Sequence, residues 1–314
     1  MKRLLALLLF PSMLIAQKPA EAGVILDNDL YTSPKNDQYY TNGIEIFYRY
    51  VGNPRSEKVA KKVTEFRVGQ YIYNPQSAQA PEINVQDRPF AAYLFAEAGV
   101  NTFFKNESVL KANLQVGVVG PEAYGEEVQA GLHNLLGYDK VEGWQYQIKT
   151  LLGLQSEIFY SHKVLGSRFH ENIDFHAHAQ VQAGTVWMGA SVGALSRIRL
   201  GGKFLPMYDS ALQGAAMSRD TESYKGFQEL MLFINPTVQY MRYDATILGS
   251  MFDEEHSSPV TYPLIHYRFN AEVGVLYRKN NWTYSYSFNY RGKELTNNVV
   301  TGYYYGSIRV SRFL

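Results

Sequence analysis

From Asn172 to Thr185 the chain reads NIDFHAHAQVQAGT, and its side chains alternate without a break. His176, His178, Gln180 and Gln182 share one face of an extended strand, and Phe175, Ala177, Ala179 and Val181 share the other. Tyr284, Tyr286, Phe288 and Tyr290 form a second one-sided stripe, and Tyr305, Ser307, Arg309 and Ser311 alternate with Gly306, Ile308, Val310 and Arg312 just before the C-terminus. A soluble sandwich would turn the polar face to water outside. A membrane barrel turns it to a polar lumen and gives the apolar face to lipid. The 25 Tyr and 17 Phe suit aromatic belts at a lipid boundary, whereas no apolar run after the N-terminus is long enough to span a bilayer as a helix.

The two ends agree with this. Lys2 and Arg3 precede an apolar stretch, Leu4 to Ile15, that is too short to span and reads as a secretory signal. Cleavage is expected after Ala16, with Ala22 as the alternative, leaving one domain from residue 17 to 314. The chain ends on Phe313 and Leu314, close to the terminal aromatic residue usual in outer-membrane barrels. With no cysteine, the exported chain needs another source of stability, and a closed barrel without free edges supplies it. A net charge of +1 gives no electrostatic case for nucleic-acid binding.

Turn residues divide the chain into twelve strands, near 23–31, 40–51, 64–73, 90–104, 109–119, 150–164, 172–184, 187–199, 227–243, 262–278, 282–291 and 303–313. The expected fold is all-β, a transmembrane antiparallel barrel. Segment 52–63 reads as a polar turn, and 200–226 as a long turn or short helix. If the N-terminus starts in the periplasm, the loops after odd-numbered strands face outside the cell.

One of those loops holds a helical pattern. In GVVGPEAYGEEVQAGLHNLLG, residues 117–137, Gln129 and His133 are one turn apart and share a face. Val128, Leu132, Leu135 and Leu136 lie largely opposite, Glu126 and Glu127 suit the first turn, and Gly137 suits the C-cap. A helix that buries its leucines and aims a Gln and a His the other way would form an active-site wall. Neutral imidazole can take a proton from water, while the plainer alternative is a surface histidine. Asp27, Asn28 and Asp29 end the first strand, near Tyr40, Thr41 and Asn42 at the start of the second. Their oxygens suit Ca²⁺, and a bulge or turn is the plainer explanation. His176 and His178 are candidate metal ligands or ordinary lumen residues. No H-E-x-x-H pattern supports a zinc site.

Taken together, DND at 27–29, YYTNG at 39–43, QYIYNP at 70–75, DRPFAAYL at 87–94, the 116–137 block and GWQYQI at 143–148 resemble the lipid A 3′-O-deacylase family of Gram-negative outer membranes. The resemblance implies a twelve-stranded barrel with its site between the wall and a loop helix near the outer leaflet. It implies catalytic roles for His133, Gln129, Asn28 and Thr41. It also implies a Ca²⁺ held by Asp29 and Asp139, and a mechanism similar to that of secreted phospholipases A2. The implied partner is lipid A or lipopolysaccharide in the outer leaflet, met by a monomer. One departure is the loop NPQSAQAPEINVQDRP, which lacks the lysines of the family pattern and leaves the substrate's phosphorylation state open. A phospholipase of the outer membrane and a non-enzymatic channel are the alternatives.

Overall fold

The protein is described by a computed structural model over residues 18–32, 39–77, 79, 81–165, 171–218, 226–253, 258–297 and 299–314; the expected signal segment lies outside the described residues. Twelve antiparallel strands close into one barrel. They are β1 (Ala20–Asn28), β2 (Tyr39–Gly52), β3 (Val59–Asn74), β4 (Ala91–Phe104), β5 (Val109–Val119), β6 (Leu151–Leu165), β7 (Ile173–Gly184), β8 (Trp187–Gly202), β9 (Gln228–Asp244), β10 (Tyr267–Lys279), β11 (Trp282–Gly292) and β12 (Gly302–Phe313). Each pairs with its neighbours in sequence, and β1 closes on β12 with Glu21 opposite Phe313. Closure leaves no strand edge unpaired, as a hydrocarbon surrounding demands.

The alternation sorts as expected. Tyr284, Tyr286, Phe288 and Val181 are exposed on the outer surface, and His176 and His178 are buried in the lumen. β3 begins earlier than the polar character of residues 52–63 suggests. Lys61 turns inward to Asp209 (2.9 Å), and a bulge between Val59 and Lys61 breaks the pattern there.

The termini share one rim, and the longer loops mostly occupy the other. By the usual asymmetry of such barrels, the terminal rim is periplasmic. Segment 203–218, which carries no clear period, folds back into the periplasmic end of the lumen. Met207, Ala211, Ala215 and Met217 pack there against Val63, Phe103, Phe233 and Phe313. Glu229 fixes the segment by accepting from Ser210 Oγ (2.6 Å) and the Ala211 amide (3.1 Å). The outer end is filled by a one-turn helix (Ala245–Leu248) and by Leu264, Leu295 and Val300 against Tyr39 and Tyr303.

Between these two fillings lies a polar cavity of about 530 Å³. Arg67 there meets Glu65 (2.5 Å) and Glu45 (2.9 Å), and Arg49 meets Glu21 (2.8 Å). Pairing of this kind is what keeps charges tolerable in an interior wrapped by lipid.

Candidate active site

The β5–β6 connection builds one half of the site. At Gly120 the backbone takes φ +106°, and a Cβ there would lie 2.8 Å from main-chain atoms of Lys149 and Thr150, so only glycine fits. The chain then leaves the lumen side and lies against the outer wall. Helix α1 (Gly125–Leu136) packs on β3 and β4 from the lipid side. Ile72, Phe90, Ala92, Ala123, Val141 and Trp144 form an apolar cluster beneath it. Gln70 Nε2 donates to the Ala123 carbonyl (2.6 Å), and Trp144 Nε1 donates to Gln129 Oε1 (2.9 Å).

The helix inverts the expected burial. Gln129 is 3% exposed, whereas Leu135 and Leu136 are 80% and 58% exposed. Val128 packs on the wall cluster, while Glu126, Glu127 and Asn134 share the exposed side with Leu135 and Leu136. Exposed leucines beside charged residues suit a helix lying at a membrane boundary, where an apolar side chain meets lipid.

His133 lies on the partly covered side. Its Nδ1 is 2.7 Å from the Asp139 carbonyl oxygen, and its ring meets Tyr138 edge-on at 5.6 Å. A carbonyl only accepts, so Nδ1 carries a proton, and in the neutral ring the lone pair is on Nε2. Gly137, in the left-handed region at φ +74°, makes the tight return that brings Asp139 back to the ring. Asp139 thus engages His133 through its main chain, and its side chain is exposed.

The second half lies on β1 and β2, beside β3. Asp27 faces the lumen, where Tyr40 donates to it (2.8 Å). Asn28, next along the strand, has the opposite parity and is paired with Asn42, adjacent to Thr41. Its Oδ1 accepts from the Leu30 amide (2.8 Å), so Asn28 caps a 3-10 turn, Asp29–Tyr31, and Asp29 leaves the strand to enter that turn. The turn reading of this cluster is therefore realised. Asp29 and Thr41 are both buried, Thr41 within a bulge between Tyr40 and Asn42.

Two corners thus lie at one rim: Asn28, Asp29 and Thr41 at the ends of β1 and β2, and Gln129 and His133 on the helix over β3–β4. The side-chain hydrogen bonds of Gln129 and His133 go to Trp144 and Asp139, within their own loop. The donors at the first corner are all oxygens, which fits a hard cation such as Ca²⁺.

Among the described residues, the cluster whose atoms lie close enough to hold a metal is elsewhere, at the periplasmic rim: Glu107, Asp174 and His176. Arg197 already grips Asp174 (2.5 Å), and Lys163 grips Glu107 (2.7 Å). Two cations there neutralise both carboxylates. His178, the other lumen histidine, meets Asn235 Oδ1 at 2.7 Å.

Sequence reasoning did not assign Trp144 a role. Its signal was the GWQYQI segment, where a large aromatic stands among polar residues outside any strand.

A closed barrel with an apolar outer surface and a polar lumen is the fold of an outer-membrane protein. The sequence profile of the family described as "Outer membrane protein LpxR" matches residues 4–314. The chain belongs to that family, the lipid A 3′-O-deacylases, and its place is the outer membrane. LpxR from Salmonella typhimurium has a similar fold, with TM-score 0.72 and 20% identity over 94% of this chain and 100% of that one. The β domain of the Bordetella autotransporter BrkA gives 0.48 at 7% identity, covering 94% and 98%. The translocator domain of NalP from Neisseria meningitidis gives 0.43 at 10%, covering 99% and 97%. No curated protein sequence matches significantly.

Proposed function

We propose that the protein hydrolyses the 3′-linked acyl or acyloxyacyl ester of lipid A in the outer leaflet, with His133 as general base on water. The observation that carries this is the His133–Asp139 contact. It leaves Nε2 as the basic nitrogen on a helix that sits outside the barrel wall, where lipid can reach it. Nε2 takes a proton from water, and the hydroxide attacks the ester carbonyl. The tetrahedral intermediate collapses, the imidazolium returns the proton to the departing sugar oxygen, and a fatty acid and a free 3′-hydroxyl result. Ca²⁺ bound by Asp29, with Asp139 as the second expected ligand, would polarise the carbonyl and stabilise the oxyanion.

Asn28 and Thr41 position the reacting group from the β1–β2 corner. Gln129, held by Trp144, fixes the helix that presents His133. Hydrolysis needs no energy source, and one chain contains every residue used, so a monomer suffices. The packed segments at both ends of the lumen favour an enzyme over a channel.

The test is purified protein in detergent micelles with lipid A, with Ca²⁺ or a chelator, and with product mass as the readout. Release of one 3′-chain by wild type but not by His133→Gln is expected. Turnover of phosphatidylethanolamine with intact lipid A would establish a phospholipase instead, and no turnover of either would sink the enzyme reading.

A further inference from the structure

Three consecutive residues in the β3–β4 connection, Gln86, Asp87 and Arg88, are all buried, although they are polar and lie in a loop. Buried polar side chains outside secondary structure are uncommon unless their partners matter. Each of these reaches a different part of the rim. Gln86 Nε2 donates to the Gly143 carbonyl (3.2 Å), next to the Trp144 that holds Gln129. Asp87 Oδ2 accepts from the Tyr39 hydroxyl (3.0 Å) at the start of β2, two residues before Thr41. Arg88 lies over the Tyr73 ring (4.5 Å) and donates to Thr246 Oγ1 (2.9 Å) on the opposite side of the rim.

The backbone is unusual at the start of β2 and just ahead of α1. Tyr39 adopts φ +60°, and Tyr124, which precedes α1, adopts φ +57°. For a bulky residue this conformation is strained and persists only where the surroundings enforce it. At Tyr39 the enforcement is visible: its hydroxyl donates to Asp87 and accepts from Asn297 Nδ2 (2.7 Å). Asn297 also donates to the Asp87 carbonyl (2.7 Å).

From this we infer that Gln86 and Asp87, with Arg88 as their anchor, are positioning residues that hold the two corners of the site in register. Gln86 fixes the loop that carries His133, and Asp87 fixes the strand end that carries Thr41. Adjacent in sequence, they set the spacing between base and opposite corner through one rigid segment. The inference rests on the proposed deacylase reading for its consequence, but not for its geometry.

Because the chain has no cysteine, the geometry can be measured directly. Spin labels at Asn134→Cys on the exposed side of α1 and at Ile44→Cys, three residues from Thr41 on β2, report the separation of the corners by electron-spin distance measurement. The probing variants are Gln86→Leu, which removes the bond to Gly143, and Tyr39→Phe, which removes both bonds of the hydroxyl, each with little change in shape. Heat-modifiable gel mobility confirms the folded barrel. Expected is one narrow distance distribution in the parent and a broadened or shifted one in each variant. The kcat on lipid A should fall by on the order of tenfold to a hundredfold with KM within about twofold, since misplacement penalises the chemical step. Distributions unchanged in both variants would overturn the inference, whatever the rates. A broadened distribution alongside a wild type inert on lipid A would uphold the positioning device and reject the deacylase reading.

Discussion

The indole N–H of Trp144 donates to the side-chain oxygen of Gln129 at 2.9 Å, and both residues are almost wholly removed from solvent. This bond ties the middle of α1 to the far arm of its own loop, whose Ile148 amide in turn bonds the Phe90 carbonyl ahead of β4. The helix is thus braced by a polar contact inside its own loop, set in the apolar cluster that covers the wall.

Replacing Trp144 by Phe leaves the Gln129 amide buried without that donor. A loss of about 1–3 kcal/mol is expected. It should appear as earlier proteolysis within residues 120–150 and as lower turnover, with the barrel's own unfolding midpoint little changed. Limited proteolysis beside a heat-modifiability assay measures both.

His133→Gln keeps a polar side chain of similar size and removes the base. A rate loss on the order of 10²–10⁴-fold is expected, as for other positioned general bases. The site is partly open, so folding should be unaffected, and product release from lipid A by the purified variant is the measurement.

The two glycines of α1 should respond in opposite directions. A Cβ at Gly125 would lie 2.4 Å from Ala92 Cβ and 2.7 Å from the Trp144 ring, whereas one at Gly131 meets nothing within 4 Å. Gly125→Ala should lift the helix off β4 and cost about 1–3 kcal/mol. Gly131→Ala should stabilise the helix by about 0.5–1 kcal/mol. Hydrogen exchange across residues 125–136 separates the two cases.

Depth in the membrane gives a further contrast. Leu114 lies at the middle of β5 and Leu135 at the rim, both exposed on the lipid side. Arginine at Leu114 should destabilise the barrel by about 2–4 kcal/mol, and at Leu135 by about 0–1 kcal/mol. Urea titration in bilayers reads both values.

The strands were legible because each records its surroundings in every second residue. In β7, His176 and Phe175 name the lumen and the lipid by themselves. Where neighbouring residues did not report different media, the pattern failed. Lys61 and Lys62 look like a turn, yet Lys61 bonds Asp209 inside the lumen. Met207, Ala211 and Ala215 have no period because an irregular segment inside a barrel is surrounded on all sides.

Of the candidate site, local spacing showed which residues share an element but not what holds them. Gln129 and His133 share a helix face, as their spacing requires, but hydropathy alone assigned that face to the wrong medium. The contacts that hold them, Trp144 to Gln129 and Gln86 to Gly143, join residues 15 and 57 positions apart and leave no trace in local spacing.

The most direct test is mass spectrometry of lipid A from cells producing the wild type or His133→Ala, grown with and without a calcium chelator, with the barrel confirmed in the outer membrane. The account predicts loss of the 3′-chain in the wild type alone, and its suppression by chelation. Fully acylated lipid A in every sample would contradict it.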